Sequence, residues 1–479
     1  MADQNNYDLL IDGEFVESDT GEYFDTLDPA TEEPFALVAR GDTADIDRAV
    51  ESASAALSDW RSMAPAERGR LLQDLASAIR DEADALATLE TRDNGKPLSL
   101  AKADVETCAR YFEYYAGVAD KVHGESIPLG DDYTDYTIRE PLGVTAQIIP
   151  WNLPINIFGR SVAPALATGN VAVVKPAEQT PLTAIEVGRL ATEVGFPPGV
   201  LNVVPGFGPE AGSALSEHPN VDGISFTGSV PTGIEVAQTA IENVTNVHLE
   251  LGGKSPNLVF PDADFDQAIE STITGIFANA GQVCSAGSRL LVHEDIHDEF
   301  TSELAERTAE LTLGPGDEDP DVGPLVSDAQ FDKVTRYLEI GESEAGDPVV
   351  GGGTLDRDGY FVEPTIFDGV ENDMRIAQEE IFGPVLSVIE FSDEQEAFEI
   401  ANDVEYGLVA GIHTENNGRA HRFARDVDAG QIFINEWFAG GVETPFGGFK
   451  QSGFGREKGL DAIDAYTQTK NVCAYIGRD

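Results

Sequence analysis

Apolar positions near the N-terminus recur with helical spacing. Thr43 is placed to cap a segment whose Ile46, Ala49, Val50, Ala53 and Leu57 fall on one face. Pro65 opens a second segment carrying Leu71, Leu72, Leu75, Ile79 and Leu86, and Gly95 stops it. Farther on the pattern changes. Short apolar runs at 144–150, 171–176, 201–206, 223–228 and 247–251 alternate with helix-like stretches. A second series follows near 288–293, 385–391, 409–413 and 431–435. Buried strands alternating with helices predict parallel, doubly wound sheets, here in two α/β units. Residues 131–139 alternate Tyr and Thr with acids and read as an isolated hairpin arm. Residues 465–476 also read as a strand, placed to pair with that arm or with another subunit. The chain contains no internal repeat, low-complexity tract or long linker.

Composition sharpens this picture. A chain of 479 residues exceeds one ordinary core and predicts two or three domains. A hydrophobic content of 41% excludes a wholly disordered chain. No run of about eighteen apolar residues is present, so no transmembrane helix is expected. The opening MADQNNYDLL lacks a basic stretch followed by an apolar one, which predicts a cytoplasmic protein without a secretory signal. Three cysteines, Cys108, Cys284 and Cys473, are no disulfide framework.

Charge is the unusual quantity. Thirty basic and 86 acidic residues give a net charge of −56, which opposes binding to nucleic acid or anionic membrane. The acids are spread between apolar segments rather than gathered in a tail, and only nine residues are lysine. That distribution predicts a carboxylate-coated, halophilic surface. At about 1 M salt the Debye length is roughly 3 Å and self-repulsion is largely screened.

Candidate chemistry lies at a few positions. A lone cysteine is more often an inert small hydrophobe, and Cys108, on a helix-like segment, fits that description. Cys284 instead sits among Gly281, Gln282, Ser285, Ala286 and Gly287, which suits a partly exposed nucleophile near backbone donors. Glu250 lies at the end of an apolar strand, where a carboxylate is costly unless paired or functional. It is either a salt-bridge partner of Lys254 or a general base of raised pKa. Asn152, between Trp151 and Leu153, is either a turn residue or an amide aimed at an oxyanion. Gly206, Gly208 and Gly212 approximate a dinucleotide loop but with one residue too many. The stretch 225–233 is better placed: it follows a strand, Ser229 can cap the next helix, and Pro231 falls in its first turn. A helix N-terminus there would attract a pyrophosphate. Lys175 and Glu178 lie just past another strand end, where ligands bind in such sheets.

Taken together, these segments resemble the aldehyde dehydrogenase superfamily. The resemblance runs from about Tyr7 to Ile476. It is carried by Pro150-Trp-Asn-Leu-Pro154, Val173-Val-Lys-Pro-Ala-Glu178, Phe226-Thr-Gly-Ser229, Leu249-Glu-Leu-Gly-Gly-Lys254, Gly281-Gln-Val-Cys284, Glu379-Glu-Ile-Phe-Gly-Pro384 and Pro445-Phe-Gly-Gly-Phe-Lys-Gln-Ser-Gly453. It implies an α/β fold with a Rossmann-type NAD-binding domain over 1–119 and 142–251. An α/β catalytic domain would cover 252–452, with the active site between the two. A small β oligomerisation arm at 120–141 and the C-terminal strand segment 453–479 would form an intersubunit sheet, giving a homodimer or homotetramer. Cys284 would attack the aldehyde. The Asn152 amide and the Cys284 N–H would hold the oxyanion. Hydride would pass to NAD, and Glu250 would activate water against the thioester. A base at Glu250 separates this chain from the coenzyme-A-acylating branch, which lacks it.

The resemblance also implies cofactor contacts from Trp151, Lys175, Glu178, Gly228, Ser229, Gly252, Glu380 and Phe382. The Glu178 carboxylate favours NAD over NADP because it repels a 2′-phosphate. No metal is implied. Glu457 resembles a glutamate that relays protons in some members. Leu153, Asn156, Arg160, Trp437, Phe438 and Phe446 would line the substrate tunnel. Arg160 resembles the carboxylate-binding arginine of succinic-semialdehyde-type enzymes and also the arginine of the vanillin- and benzaldehyde-oxidising branch. Alternatively it is a surface or interface arginine. Ala278 stands where the semialdehyde enzymes carry a second arginine. The substrate class is therefore a semialdehyde or an aryl or aliphatic aldehyde. A non-redox thioesterase-like hydrolase and a non-catalytic binding protein on the same fold are the competing classes.

Overall fold

Capping chemistry sets the first helix. In the computed structural model, which describes residues 5–477, Asp42 rather than Thr43 caps Thr43–Ser62. The Asp42 carboxylate accepts from the Ala44 and Asp45 N–H groups, and the Asp45 carboxylate accepts from the Asp42 N–H. A carboxylate that meets two orphan amides takes precedence over the neighbouring hydroxyl. Ile46, Ala49, Val50 and Ala53 are buried as their spacing requires. The segment opened by Pro65 forms two helices rather than one. It breaks at Glu82 into Pro65–Asp81 and Ala83–Asn94, and left-handed Gly95 (φ 89°) ends the second. The long helix Leu98–Val118 carries the buried Cys108.

Apolar strands buried on both faces build the first sheet. Its eight strands run in the spatial order Gly453–Phe454, Asn246–Glu250, Gly223–Thr227, Val144–Ile149, Val171–Pro176, Leu201–Val203, Leu9–Ile11, Glu14–Val16. The five strands from Asn246–Glu250 to Leu201–Val203 are mutually parallel. Chain order reverses between Val144–Ile149 and Gly223–Thr227. That is a topological switch point, and ligands bind at the carboxyl ends of such strands. The second sheet is wholly parallel, in the order Thr365–Phe367, Val385–Phe391, Arg289–His293, Pro256–Val259, Val409–His413, Gln431–Ile434. Each sheet has its own apolar core, and a small third cluster lies beneath Cys284.

The arm and the C-terminal segment form one sheet within the chain. Tyr133–Pro141 pairs antiparallel with Thr467–Tyr475 inside one chain, through nine matched positions. Ser126–Ile127 adds a short third strand on the far side of Tyr133–Pro141, which leaves Thr467–Tyr475 at the sheet's edge. The alternating pattern that marks both segments as strands is satisfied by their own pairing. Among the described residues no helix is long and apolar enough to cross a membrane.

A buried ion cluster ties the helices together. Lys96 Nζ lies 2.7 Å from Asp104 Oδ2 and 3.2 Å from Glu90 Oε1. Glu90 Oε2 accepts from the Thr183 hydroxyl, and Asp104 Oδ1 from the Asn156 amide. Removing the cation strands two carboxylates out of water, which costs about 3–5 kcal/mol. Lys96→Met is expected to lower urea stability by that amount at fixed salt. A loss below about 1 kcal/mol would show that the cluster is not a structural tie.

Candidate active site

The loop that carries Cys284 is bent by its backbone. Asn279, Ala280 and Gly281 are successively left-handed, with φ of 52°, 54° and 73°. For the two non-glycine residues this costs about 1–2 kcal/mol each. At Gly281 a β-carbon would meet the Gly383 carbonyl oxygen at 2.1 Å. Hydrogen bonds compensate. The Asn152 amide donates to the Gln282 carbonyl at 2.9 Å, and the Asn279 amide donates to the Asn152 carbonyl at 3.0 Å. Gln282 donates to the Asn279 carbonyl and accepts from the Val326 N–H. Asn94 holds the Trp151 carbonyl at 2.8 Å. The Trp151–Asn152 turn and the cysteine loop are thereby clamped to each other across the two sheets.

Two cavities meet at this clamp. One, of about 180 Å³, is lined by Trp151, Asn152, Gly228, Ser229, Glu250, Gly252, Gln330, Lys333, Glu380 and Phe382. The other, of about 610 Å³, is lined by Tyr111, Leu153, Asn156, Arg160, Phe438, Phe446 and Lys458 among others. Among the described residues Cys284 alone lines both.

Burial dominates the electrostatics. It pushes the Cys284 thiol up to about 12; the Arg160 guanidinium opposes this, while the Glu250 and Glu380 carboxylates add to it. Burial also raises Glu250 above its ordinary value, against the His248 hydrogen bond. Glu250 Oε1 lies 3.0 Å from His248 Nε2, and Glu250 Oε2 has no hydrogen-bond partner among the described residues. The Lys254 ion pair considered for Glu250 does not form. Lys254 lies past the strand end on the far side of Gly252-Gly253, and its buried amine is pushed down to about 7 by burial and by Arg289.

The first cavity is placed and lined for the nicotinamide end of a dinucleotide. It opens at the switch point, where Ser229 caps Val230–Glu242 by accepting from the Thr232 N–H. A β-carbon at Gly252 would sit 2.3 Å from the Glu380 carboxylate, and one at Gly228 would strike the Phe226 ring. Glu380 accepts from the Gly253 N–H at 2.9 Å, and the Trp151 and Phe382 rings stand edge to face at 5.2 Å. Lys175 and Glu178 lie at the end of Val171–Pro176, paired at 3.0 Å, and do not line this cavity. The Gly206–Gly212 stretch, weak as a dinucleotide loop, contains a π-helical turn at Gly208–Gly212 and contributes nothing to the cleft.

On the substrate side, Leu153, Asn156, Arg160, Phe438 and Phe446 come together. Trp437 does not join them. It packs beneath the loop against Gly275, Gly287 and Gly411, and its indole N–H donates to the Ser285 carbonyl at 3.1 Å. Arg160 is no surface residue. It is buried, ion-paired through Nε to Glu457, and 5.1 Å from the Phe446 ring. Its Nη2 has no hydrogen-bond partner among the described residues. Sequence reading missed Asn94, His248, Gln330 and Lys333. Only His248 carried a local signal, an ionisable residue two places before Glu250 on the same strand face.

A sequence profile described as "Aldehyde dehydrogenase family" matches residues 15–472. Human retinal dehydrogenase 2 is 44% identical over 474 residues, covering 98% of this chain and 92% of that protein. Hydroxyisobutyraldehyde dehydrogenase of Mycolicibacterium austroafricanum is 45% identical over 467 residues, covering 97% and 93%. Similar identity to enzymes named for such different aldehydes shows that overall likeness does not select a substrate. The NAD+ complex of an aldehyde dehydrogenase from Bacillus cereus superposes with a TM-score of 0.97 at 43% identity, covering 99% of this chain and 97% of that one.

A thiol held at about 12 is protonated at neutral pH. Without cofactor, alkylation of Cys284 by iodoacetamide is expected to keep climbing past about pH 8.5, where an ordinary thiol is half ionised. A plateau near neutrality would contradict the buried-thiol account.

Proposed function

The chain belongs to the aldehyde dehydrogenase family and oxidises an aldehyde to a carboxylic acid with NAD; from that premise we propose how its residues divide the work. Cys284 is the nucleophile, and the observation that carries this reading is its place, alone among the described residues, in the lining of both cavities. Its sulfur bonds to the aldehyde carbon. The half-exposed thiol gives its proton to water as that bond forms. The Asn152 amide and the Cys284 N–H are the donors for the resulting oxyanion. Bound NAD supplies the hydride acceptor that leaves a thioester on Cys284. Glu250 Oε2, without a partner, then accepts a proton from water as its oxygen adds to the thioester carbon. The C–S bond breaks, the electron pair returns to sulfur, and the carboxylate is released. Ser229 and the helix it caps hold the pyrophosphate, Glu380 the nicotinamide ribose, and Lys175 with Glu178 the adenosine ribose. A carboxylate at Glu178 favours NAD over NADP.

For the substrate, the leading reading is a neutral aryl or aliphatic aldehyde. Phe438, Phe446, Leu153 and Val283 give the cavity apolar walls, and Glu457 already balances the Arg160 charge. A carboxylate-bearing semialdehyde is the second reading, favoured by the unpartnered Nη2 of Arg160. The open edge of Thr467–Tyr475 and the exposed Tyr133, Tyr136, Ile138 and Tyr475 support a homodimer or homotetramer built through the arm. The dispersed charge of −56 supports a protein adapted to molar salt.

Glu250→Gln is expected to keep a stoichiometric NADH burst while its steady-state rate falls about 10²–10⁴-fold. A variant with normal turnover would remove Glu250 from hydrolysis. In about 1 M KCl, where repulsion is screened, neutral aldehydes should exceed a semialdehyde in kcat/KM by at least about tenfold. The reverse order, abolished by Arg160→Gln, would make Arg160 a carboxylate anchor. Thermal stability should rise with KCl up to molar concentrations. Equal stability in salt-free buffer would contradict halophilic adaptation.

A further inference from the structure

Lys458 stands at the wall of the larger cavity in a strained turn. Its backbone is left-handed, with φ of 61°, a region that side chains other than glycine rarely adopt. The turn is tied on both sides. Phe446 and Glu457 exchange backbone hydrogen bonds at 2.8 and 2.7 Å, and the Gly459 N–H donates to the Val442 carbonyl at 2.8 Å. The Tyr115 hydroxyl donates to the Gly459 carbonyl at 2.9 Å. A β-carbon at Gly459 would meet the Glu443 carbonyl oxygen at 2.7 Å, so the two segments lie in close contact. The half-buried Lys458 side chain is thereby carried into the lining of the cavity that holds Cys284. Its Nζ lies 5.7 Å from the centre of the Phe446 ring.

The Lys458 amine forms no ion pair and no hydrogen bond among the described residues. The carboxylates that could answer it are engaged elsewhere. Glu443 pairs with Arg110 at 2.5 Å, and Glu457 pairs with Arg160. An ammonium carries three donors, and one that no protein acceptor meets is open to a ligand. Burial pulls its pKa down to about 8, helped by the Arg160 charge and opposed by Glu457 and Glu443. The amine is therefore mostly protonated at neutral pH.

We propose that Lys458 is a substrate-binding residue that donates a hydrogen bond to a second, neutral oxygen of the aldehyde, such as an ether, hydroxyl or carbonyl. The proposal rests on the reading of this cavity as the aldehyde site with Cys284 as nucleophile. Charge selects a neutral acceptor over a carboxylate. In the lining, Asp104, Glu106 and Glu443 match Arg110, Arg160 and Lys458 in number. An entering carboxylate would unbalance that set and meet the charges of Glu457 and Glu443 that already act on the amine. A neutral oxygen takes the donor without adding charge. Phe438 and Phe446 supply apolar surface for the rest of the molecule.

The test uses pairs of aldehydes that differ only by an ether oxygen in place of a methylene. They are 4-methoxy- against 4-ethylbenzaldehyde, and the corresponding cinnamaldehydes for a longer reach. Initial rates of NADH formation in about 1 M KCl give kcat and KM for each. Substituent effects on the carbonyl are common to all enzyme forms. The kcat/KM ratio within a pair is therefore compared between wild type, Lys458→Met and Lys458→Gly. Glycine relieves the left-handed backbone and guards against a failure to fold. In at least one pair the ether-to-ethyl ratio is expected to fall at least about tenfold in both variants, through a higher KM for the ether. A ratio that the variants leave unchanged in both pairs would overturn the subsite. So would a fall carried by kcat alone, which marks a distorted site rather than a lost contact. Turnover of the ethyl aldehydes with no change in ratio fails Lys458 and leaves the Cys284 reading standing. No NADH from any of these aldehydes in wild type overturns both.

Discussion

A half-buried thiol and a buried carboxylate, which must both change charge to react, stand where two sheets meet. Burial raises both Cys284 and Glu250 above their ordinary values, so each ionises at a cost. The rest of the site answers that cost. Arg160 supplies the opposing charge, itself balanced by Glu457, and His248 supplies a hydrogen bond that favours the Glu250 carboxylate. The left-handed run at 279–281 and the Asn152–Gln282–Asn279 hydrogen bonds keep the sulfur at the junction of the two cavities. Such a thiol is protected from adventitious chemistry until substrate and base come together. This is consistent with a nucleophile that is only partly accessible.

Much of the fold and part of the site were legible in the sequence. The parallel strands announce themselves as apolar runs, because strands buried on both faces have no polar side. Pro256–Val259 and Thr365–Phe367 escape because four or three residues carry no period. Cys284 stood out through its small, polar neighbours, and Glu250 through the cost of a carboxylate at an apolar strand end. Two sequence neighbours were harder to read. Lys254 is four residues from Glu250 yet lies beyond the Gly252-Gly253 turn, so proximity in the chain misled. Trp437 is aromatic and close to Phe438, but only one of the two reaches the substrate cavity. Asn94, Gln330 and Lys333 lie on elements brought to the site from far along the chain, and no local pattern marks them.

Arg160 shows why the family is easier to read than the substrate. A motif names the residue, but its meaning depends on Glu457, nearly three hundred positions later. A guanidinium with its charge already matched differs chemically from a free one, although its Nη2 keeps donors to spare. The relatives named for retinal and for hydroxyisobutyraldehyde diverge under the same overall likeness. Specificity therefore resides in a few side chains around one cavity and not in the scaffold.

The central claim is that the chemistry passes covalently through Cys284 at the meeting point of the two cavities. Acid quenching during turnover with excess aldehyde and NAD, followed by peptide mass spectrometry, tests it most directly. The account predicts an acyl group on the peptide that carries Cys284, and none on those carrying Cys108 or Cys473. NADH formation with no acyl adduct, or with the adduct on another residue, would contradict it.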